Sequence, residues 1–318
     1  MSEEIHLIKF ISNFDFKNAS KFDSNNGEPF TLSLKLEHGL KIKCDHLLDM
    51  AKLISKLDNI SVEESEIKLI NSGVSSYDKT PNLDSYCFYF HYSINKDVLD
   101  KNYPLTGEEI FNSRFQYIKN LINVFRLFKE GDISSSPYYQ FNLKNGSLSM
   151  QQMGQSPFFP SRNRFILSTN ELPKLQELIN TVKMPLKTKF KQLKLAFDNY
   201  QLSYSIYFPQ LQYLTLMNSM EVLFHPSHEG ELRNRISRNT AVLLGKTEEE
   251  SQTIFSNMGK HYDKRSDLVH RGKANISPND VYNLRHYARE SIKEIYKINK
   301  EKGQLLKELN SRGFGTRI

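Results

Sequence analysis

The feature that most constrains the fold is a change in the spacing of apolar residues partway along the chain. From Lys187 onward, apolar side chains recur every three or four positions over roughly 100 residues, which is the period of amphipathic helices. Earlier stretches alternate instead, and in residues 30–36 every second side chain is apolar. Such alternation is typical of a half-buried strand. The sequence therefore predicts a strand-containing first part followed by an all-helical second part.

The first part, residues 1–170, is predicted to be an α+β domain. Strands are expected where alternating or aromatic residues cluster, at 5–11, 30–36, 40–44, 86–92, 139–143, 148–150 and 165–167. Asn145-Gly146 predicts a tight hairpin, and helices are expected after Asp45 and after the capping-box residue Thr106. We find no phosphate-binding glycine loop and no metal-ligand spacing in residues 1–170. A sensing or regulatory role is therefore the default expectation.

The second part is predicted to be helical throughout. Residues 171–188 are expected to form a connecting helix and a linker, and residues 189–310 a bundle of four or five helices. Thr247 is expected to cap a helix that breaks at Gly259, and Ser277 to cap the next long helix. The tail after residue 310 is expected to be loose.

The composition favours a soluble protein of a reducing compartment. No run of about 18 apolar residues is present, so no membrane span is expected. Cys44 and Cys87 are too few for a disulfide framework or a zinc site, and they are most simply buried thiols in the cytoplasm. From Glu171 onward the chain has 24 basic and 16 acidic residues, whereas the whole chain has 43 and 36. The surplus positive charge thus lies in the helical part, where it either attracts a polyanion or simply solubilises the surface.

One short segment of the helical part carries residue types that suit RNA cleavage. Arg265 and His270 lie five residues apart near the end of an expected helix. RNA supplies its own nucleophile, the 2′-hydroxyl group, while a histidine can transfer the proton and an arginine can neutralise the phosphorane oxygens. This chemistry requires no metal and no cofactor. Arg265 and His270 are therefore candidate catalytic residues, although their spacing alone favours ordinary structural roles.

The spacing of these two residues raises a geometric problem. Residues five apart on a regular helix point about 140° away from each other. The side chains can meet if Gly272 loosens the last turn, or if two chains form a symmetric dimer to which each contributes both residues. We favour the dimer. Ordinary structural roles also exist, because His270 suits a helix C-terminus and Arg265 can pair with a nearby aspartate, Asp263 or Asp267.

Three blocks of the helical part carry a family resemblance. They are MNSMEVLFHP at residues 217–226, ELRNRISRNTAVLLG at residues 231–245 and YDKRSDLVHRG at residues 262–272. Their order and spacing resemble the HEPN superfamily, in particular the Apea-like HEPN domains of bacterial anti-phage proteins. The resemblance covers about residues 190–300 and lacks the cysteine-rich zinc segment of some larger relatives. It implies a metal-independent, usually dimeric ribonuclease that often acts as a toxin or an abortive-infection effector.

The resemblance also implies a role for each residue near the motif. The family's Arg-x(4–6)-His motif corresponds to Arg265 and His270. Ser266 follows the motif arginine and is expected to orient the histidine or the phosphate, and Tyr262 is expected to support the site. Flanking phosphates are assigned to three basic residues, Lys264, Arg271 and Lys273.

Two further positions match residues that recur in related domains. Glu221 lies close to an apolar helix face, where a carboxylate needs a partner. Either it pairs with a basic residue of the domain, or the helix is rotated so that the carboxylate meets water. The resemblance implies that Glu221 and Arg238 form a buried support pair rather than acting as catalysts.

The expected function is therefore a HEPN-type endoribonuclease of bacterial anti-phage defence, or a toxin. RNA is the expected partner, the helical domain is expected to form a homodimer, and a phage-derived trigger or regulatory partner is expected to act through residues 1–170. Two alternatives stay open. One is a non-catalytic HEPN module that binds RNA or a protein, and the other is the HEPN member of a toxin–antitoxin pair.

Overall fold

A computed structural model describes residues 2–17, 30–36, 40–45, 85–95, 107–144, 147–153, 163–184, 186–225, 231–272 and 275–316. The chain divides into two compact units. The sheet unit comprises Met1–Ile122 and Gly131–Thr181, and the helical unit comprises Asn123–Glu130 and Val182–Ile318. A strand-containing first part and a helical second part are both present, as the spacing of apolar residues predicted.

A six-stranded antiparallel sheet forms the centre of the sheet unit. In spatial order its strands are β3 (Phe30–Thr31), β4 (Lys41–Asp45), β5 (Ser85–Asn95), β1 (Ser2–Ser12), β6 (Ser134–Lys144) and β7 (Ser147–Met153). β1 lies in the interior because it pairs with both β5 and β6. β6 and β7 pair in the register of the predicted hairpin, from Lys144 opposite Ser147 onward. The turn at Asn145-Gly146 and the helix expected after Asp45 lie outside the described residues.

Two shorter strands, one helix and the part of another helix up to Ile122 complete the described part of this unit. β2 (Phe14–Lys17) pairs in parallel with β8 (Phe165–Ser168). Helix α1 (Gly107–Phe128) precedes β6, and α2 (Leu172–Thr181) follows β8. Between α1 and β6, Gly131 has φ +150°, and a Cβ atom there would lie 2.6 Å from the Phe165 Cα. Only glycine fits this close approach, so it ends the segment where the sequence predicted a stop.

Six helices follow in the described part of the helical unit, more than the four or five expected. They are α3 (Lys191–Leu202), α4 (Pro209–Phe224), α5 (Leu232–Leu244), α6 (Glu248–Arg271), α7 (Pro278–Ile298) and α8 (Lys302–Ser311). The predicted start of α7 is confirmed, since Ser277 and Asp280 form a reciprocal capping box. The apolar stripe of α7 is buried over its whole length.

Residues 311–316 are not loose, and for this segment the expectation of a loose tail was wrong. The Arg238 guanidinium of α5 donates to the backbone carbonyl oxygens of Leu309, Asn310 and Arg312, at 2.9, 3.2 and 2.6 Å. These carbonyl groups end α8 and have no acceptor role inside the helix. Further along, the Phe314 ring packs on Phe255, with 5.8 Å between ring centres. A cap from a residue far away in the sequence thus holds this segment in place, although its local composition predicts no ordered structure.

An ion cluster holds residues 123–130 against α7. The Glu130 carboxylate accepts hydrogen bonds from Arg285 and Arg289, each at 2.9 Å. Arg285 is fully buried, and its guanidinium also lies 4.1 Å from the centre of the Tyr204 ring. Removal of Glu130 would leave a buried cation unpaired, which is costly. It is therefore expected to lower the free energy of unfolding by about 3–5 kcal/mol. This cluster fixes the position of α7 within the helical unit.

Candidate functional site

The expected site lies on α6, an uninterrupted helix of 24 residues. The Thr247 side chain caps its start by accepting a hydrogen bond from the Glu250 N–H at 3.1 Å. Three glutamates in the first turn and two basic residues in the last turn match the helix dipole. At the far end, Gly272 adopts φ +62° and its N–H bonds back to the Asp267 carbonyl. All the expected site residues from Tyr262 to Arg271 therefore belong to one regular helix.

Gly259 lies inside α6 and does not break it, so this expectation was also wrong. A Cβ atom at this position would lie 3.0 Å from Nη2 of Arg233, a residue of α5. The same guanidinium makes a two-pronged pair with Asp263 of α6, at 2.7 and 2.8 Å. The missing side chain thus allows α5 and α6 to approach closely. This tertiary contact outweighs the poor helix propensity of glycine.

Arg265 is held by a carboxylate from α4. Its Nε lies 3.2 Å from Oε1 of Glu221, and the two side chains are 23% and 19% exposed. That Oε1 is buried and accepts no hydrogen bond of good geometry in the described chain, so the contact is an ion pair. The guanidinium also lies 6.0 Å from the centre of the Tyr262 ring, one turn earlier on α6. The terminal nitrogens of Arg265 donate no hydrogen bond to the described residues, so their four N–H groups can donate to a ligand.

His270 occupies the last turn of α6 and is exposed. Its imidazole makes no hydrogen bond or ion pair with the part of the chain that the structure describes. Ser266 lies one turn before it, on the same side of the helix. Gly272 does not loosen this turn, because its N–H closes the turn onto Asp267. The first of the two ways in which Arg265 and His270 were expected to meet is therefore ruled out.

One chain does not bring Arg265 and His270 to a common point. On a regular helix they project about 140° apart. Arg265 faces α4 through Glu221, whereas Asp263, on the His270 side of α6, faces α5 through Arg233. A site that uses both catalytic candidates therefore needs a second chain.

The expected support pair of Glu221 and Arg238 does not form. Glu221 meets Arg265 instead, and Arg238 caps α8. The sequence correctly indicated that Glu221 needs a partner. It did not identify that partner, because the pairing depends on how α4 is rotated against α6.

Of the three basic residues expected to hold RNA phosphates, the two that the structure describes lie in different environments. Lys264 forms an ion pair with Asp280 of α7, away from the end of α6. Arg271 is exposed next to His270 and lies 3.2 Å from Asp267, which is therefore not a partner of Arg265. Lys273 lies outside the described residues. Of the two that are described, Arg271 alone accompanies His270.

Sequence reasoning missed His261, one turn before Arg265. Its position relative to Ile254 and Met258, at spacings of three and seven, is the signal that marks it as a core residue. The Tyr213 hydroxyl of α4 lies 2.9 Å from the imidazole Nδ1 and donates to the backbone oxygen of His261, also at 2.9 Å. Burial lowers the pKa of His261 to about 4, with Asp280 opposing and Lys264 adding to that effect. The ring is therefore neutral at pH 7.

The chemical resources of α6 are thus an arginine with available donors, an exposed imidazole and a buried neutral one. In the described ranges, no three His, Cys, Asp or Glu side chains are grouped so as to hold a metal ion. None of the described helices combines the length and apolar character needed to cross a bilayer. Comparison with protein families, characterised proteins and solved structures finds no match to this chain.

Proposed function

We propose that the chain is a metal-independent endoribonuclease of the HEPN type, acting in the bacterial cytoplasm in anti-phage defence. The observation that carries the proposal is the state of Arg265, whose Nε is held by Glu221 while its terminal nitrogens donate no hydrogen bond in the described chain. A guanidinium fixed on one side and open on the other suits a phosphate, because its N–H groups match two phosphate oxygens. The surplus positive charge of the helical part adds long-range attraction for RNA.

His270 supplies proton transfer in the proposed reaction. An exposed imidazole can accept the proton of the RNA 2′-hydroxyl group or donate one to the leaving 5′-oxygen. The 2′-oxygen forms a bond to phosphorus as the bond from phosphorus to the 5′-oxygen breaks. Arg265 stabilises the charge that develops on the phosphorane oxygens. The products carry 2′,3′-cyclic phosphate and 5′-hydroxyl ends, and the step consumes neither metal nor cofactor.

The proposed site is shared between two chains. In a two-fold dimer, the Arg265 of one chain and the His270 of the other can face one phosphate although they diverge on a single α6. Val269, next to His270, is 48% exposed and offers apolar area for such a contact. The two-fold arrangement also doubles the positive charge beside the RNA.

For the sheet unit we propose a regulatory role. A phage-derived trigger or a regulatory partner binds residues 1–170 and controls the nuclease. The outer strands of the described sheet are β3 and β7. Outer strands present backbone groups to which an extended segment of a partner can pair.

A second candidate function is supported by the same ion pair. Glu221 already neutralises Arg265, so the arginine has a structural role that requires no RNA. On that reading the helical unit binds RNA or a protein without cutting it, or serves as the HEPN member of a toxin–antitoxin pair.

Incubation of the purified chain with RNA in EDTA tests the nuclease proposal. Wild-type protein is expected to release fragments with 2′,3′-cyclic phosphate ends. His270→Ala and Arg265→Ala are each expected to lower the cleavage rate by at least about 100-fold, the usual range for a lost proton-transfer or charge-stabilising group. The matched controls are His225→Ala and Arg235→Ala, which replace exposed residues of the same types elsewhere in the helical unit.

Circular dichroism and thermal melts establish that each variant is folded. Cleavage that is equal in wild type and in both site variants would refute the nuclease proposal. RNA binding that survives His270→Ala, with no cleavage by any variant, would establish the binding module instead.

A further inference from the structure

Exposed apolar side chains concentrate where α3 is joined to α4. The described chain exposes seven large apolar residues, and five of them lie between positions 195 and 211. Each of the five is about half exposed: Leu195, Leu202, Tyr207, Phe208 and Leu211. The rings of Tyr207 and Phe208 also contact each other edge to face, with 5.3 Å between their centres. An apolar patch of this kind on a surface marks a place where another molecule binds.

The outward face of α3 leads from this patch to a basic end. Lys191, Lys194, Leu195, Asp198 and Leu202 are exposed, and their spacing places them within about 100° around the helix axis. The opposite face is buried in the helical unit and consists of Leu193, Ala196, Phe197 and Tyr200. The outward face therefore has lysines in its first turn and leucines further along. These two ends are separated by about 18 Å at most, the length of a helix of this size.

The basic end carries positive charge that the described chain does not neutralise. Residues 178–197 include five lysines and no acidic residue. All five are exposed and none forms an ion pair with a described residue: Lys183, Lys187, Lys189, Lys191 and Lys194. By contrast, Lys297 pairs with Glu294 and Lys300 with Glu308 in the same unit. A partner of this surface must therefore bring negative charge to the start of α3.

The combination of both ends selects the kind of partner. RNA can neutralise the lysines, but its bases stack on aromatic rings, and Leu195 and Leu202 provide none. A second copy of this chain is disfavoured as well. Facing α3 helices would place lysines on lysines or lysines on leucines, and both arrangements bury ammonium groups without carboxylates. A polypeptide helix with apolar residues on one half and carboxylates on the other satisfies both ends.

We propose that the outward face of α3 and its connection to α4 bind an acidic amphipathic helix of a partner protein. Apolar side chains of that helix pack on Leu195, Leu202 and Phe208. Its carboxylates pair with Lys191 and Lys194 and with the lysines that precede α3. The assignment does not depend on the nuclease proposal, since it uses neither Arg265 nor His270.

Fluorescence anisotropy of a labelled peptide titrated with the full chain tests this assignment. The probe is a designed helical peptide of about 18 residues, long enough to span the face, with leucines at helical spacing in one half and glutamates in the other. Two further peptides replace either the glutamates by glutamines or the leucines by serines. Each is expected to bind at least about ten-fold more weakly, because each matches only one end of the surface.

Variants of the chain identify the surface that the peptide occupies. The double variant Lys191→Ala with Lys194→Ala and the double variant Leu202→Ser with Phe208→Ser change exposed side chains only. Each is expected to weaken peptide binding at least about ten-fold. The matched controls are Lys297→Ala with Lys307→Ala, which removes the same charge elsewhere, and Ile166→Ser, which removes an exposed apolar side chain of β8. Both controls are expected to keep the wild-type affinity.

Other occupants predict different results. Absence of peptide binding, equal affinity for the three peptides, or affinity that neither double variant alters would overturn the assignment. Sedimentation that shows a wild-type dimer and a monomeric Leu202→Ser, Phe208→Ser variant would assign the surface to a second copy. Binding to phosphatidylglycerol vesicles that both double variants abolish, without peptide binding, would assign it to an anionic membrane.

Discussion

Two histidines of α6 differ in burial and in hydrogen-bond partners although they belong to the same helix. His261, in the middle of the helix, is buried and its Nδ1 is fixed by Tyr213. His270, nine residues later in the last turn, is exposed and has no partner in the described chain. Nine residues turn a helix by roughly 900°, so the two rings point in opposite directions. The ring in the middle of α6 therefore has its partner within one chain, whereas the ring at its end has none in the described chain.

The difference follows from which neighbours each residue has. His261 packs where α4 and α7 both cover α6, so its ring contacts both Tyr213 and Tyr287. His270 comes after the last covered turn, just before the Gly272 cap. The fixed imidazole of His261 and the exposed imidazole of His270 are expected to give different experimental results. The predictions below separate them, in order of decreasing effect.

The largest effect is expected from mixing two inactive variants. If each active site takes Arg265 from one chain and His270 from the other, a dimer of Arg265→Ala with His270→Ala contains one intact site and one site that lacks both residues. Random exchange makes about half of the dimers mixed, so cleavage is expected to return to about a quarter of the wild-type rate. The measurement is RNA cleavage before and after the two purified variants are mixed and allowed to exchange.

Exchange itself is verified with two differently tagged chains, by co-purification. Mixing either variant with more of itself is the matched control and restores nothing. A mixture that exchanges fully yet remains as inactive as its components would show that both residues act within one chain. That result would remove the contrast between the two histidines, because the end of α6 in a single chain would then hold the whole active site.

The next effect concerns the acid stability set by His261. Its pKa is about 4 in the folded chain and near 6.5 in an unfolded one, so between these values the unfolded state binds more protons. The unfolding free energy contributed by the neutral ring is therefore present above about pH 6.5 and is lost as the pH falls to about 4. The size of the pKa difference corresponds to at most about 3 kcal/mol. Urea unfolding at pH 7 and pH 4.5 measures this loss.

His261→Gln removes the titrating ring and is expected to flatten the loss of stability over that pH range. The comparison is the pH dependence of each protein, so a lower stability of the variant at pH 7 does not obscure it. Met258→Leu, at a buried position on the same helix, is the matched control and is expected to keep the wild-type dependence. The same loss in His261→Gln as in wild type would mean that other groups cause it and that His261 is not held neutral.

The sequence indicated most of the helical unit because its signals are local. The Thr247 and Ser277 caps, the apolar stripe of α7 and the Gly272 end each involve residues a few positions apart. Gly259 misled the analysis for the opposite reason. Its meaning depends on Arg233, a residue of another helix that fills the space of the missing side chain. The tail was misjudged in the same way, because its cap, Arg238, lies far away in the sequence.

The predictions for the candidate site divide in the same way, into those that rest on local signals and those that depend on packing between helices. Residue type and resemblance suffice to select Arg265 and His270, and the spacing already predicts that they diverge on a regular helix. The partner of Glu221 and the polar cavity that His261 lines between α6 and α7 were not predictable. Both depend on the rotation of α4 and α7 against α6, and a single sequence carries no direct measure of that rotation. The one local sequence signal of this cavity is a histidine, His261, at a core position of the helix.

The smallest effect is expected at Arg271, next to His270. Its ion pair with Asp267 is largely exposed, with side chains 74% and 46% accessible, so Arg271→Ala is expected to change the unfolding free energy by less than about 0.5 kcal/mol. If the end of α6 holds RNA, the same variant lowers RNA affinity a few-fold at low salt. It also reduces the slope of log affinity against log salt by about one, because one phosphate contact is lost. Arg235→Ala, which removes an exposed arginine of α5, is expected to leave that slope unchanged. Equal slopes for the two variants would mean that RNA is attracted by the overall charge of the helical unit and does not contact the open end of α6.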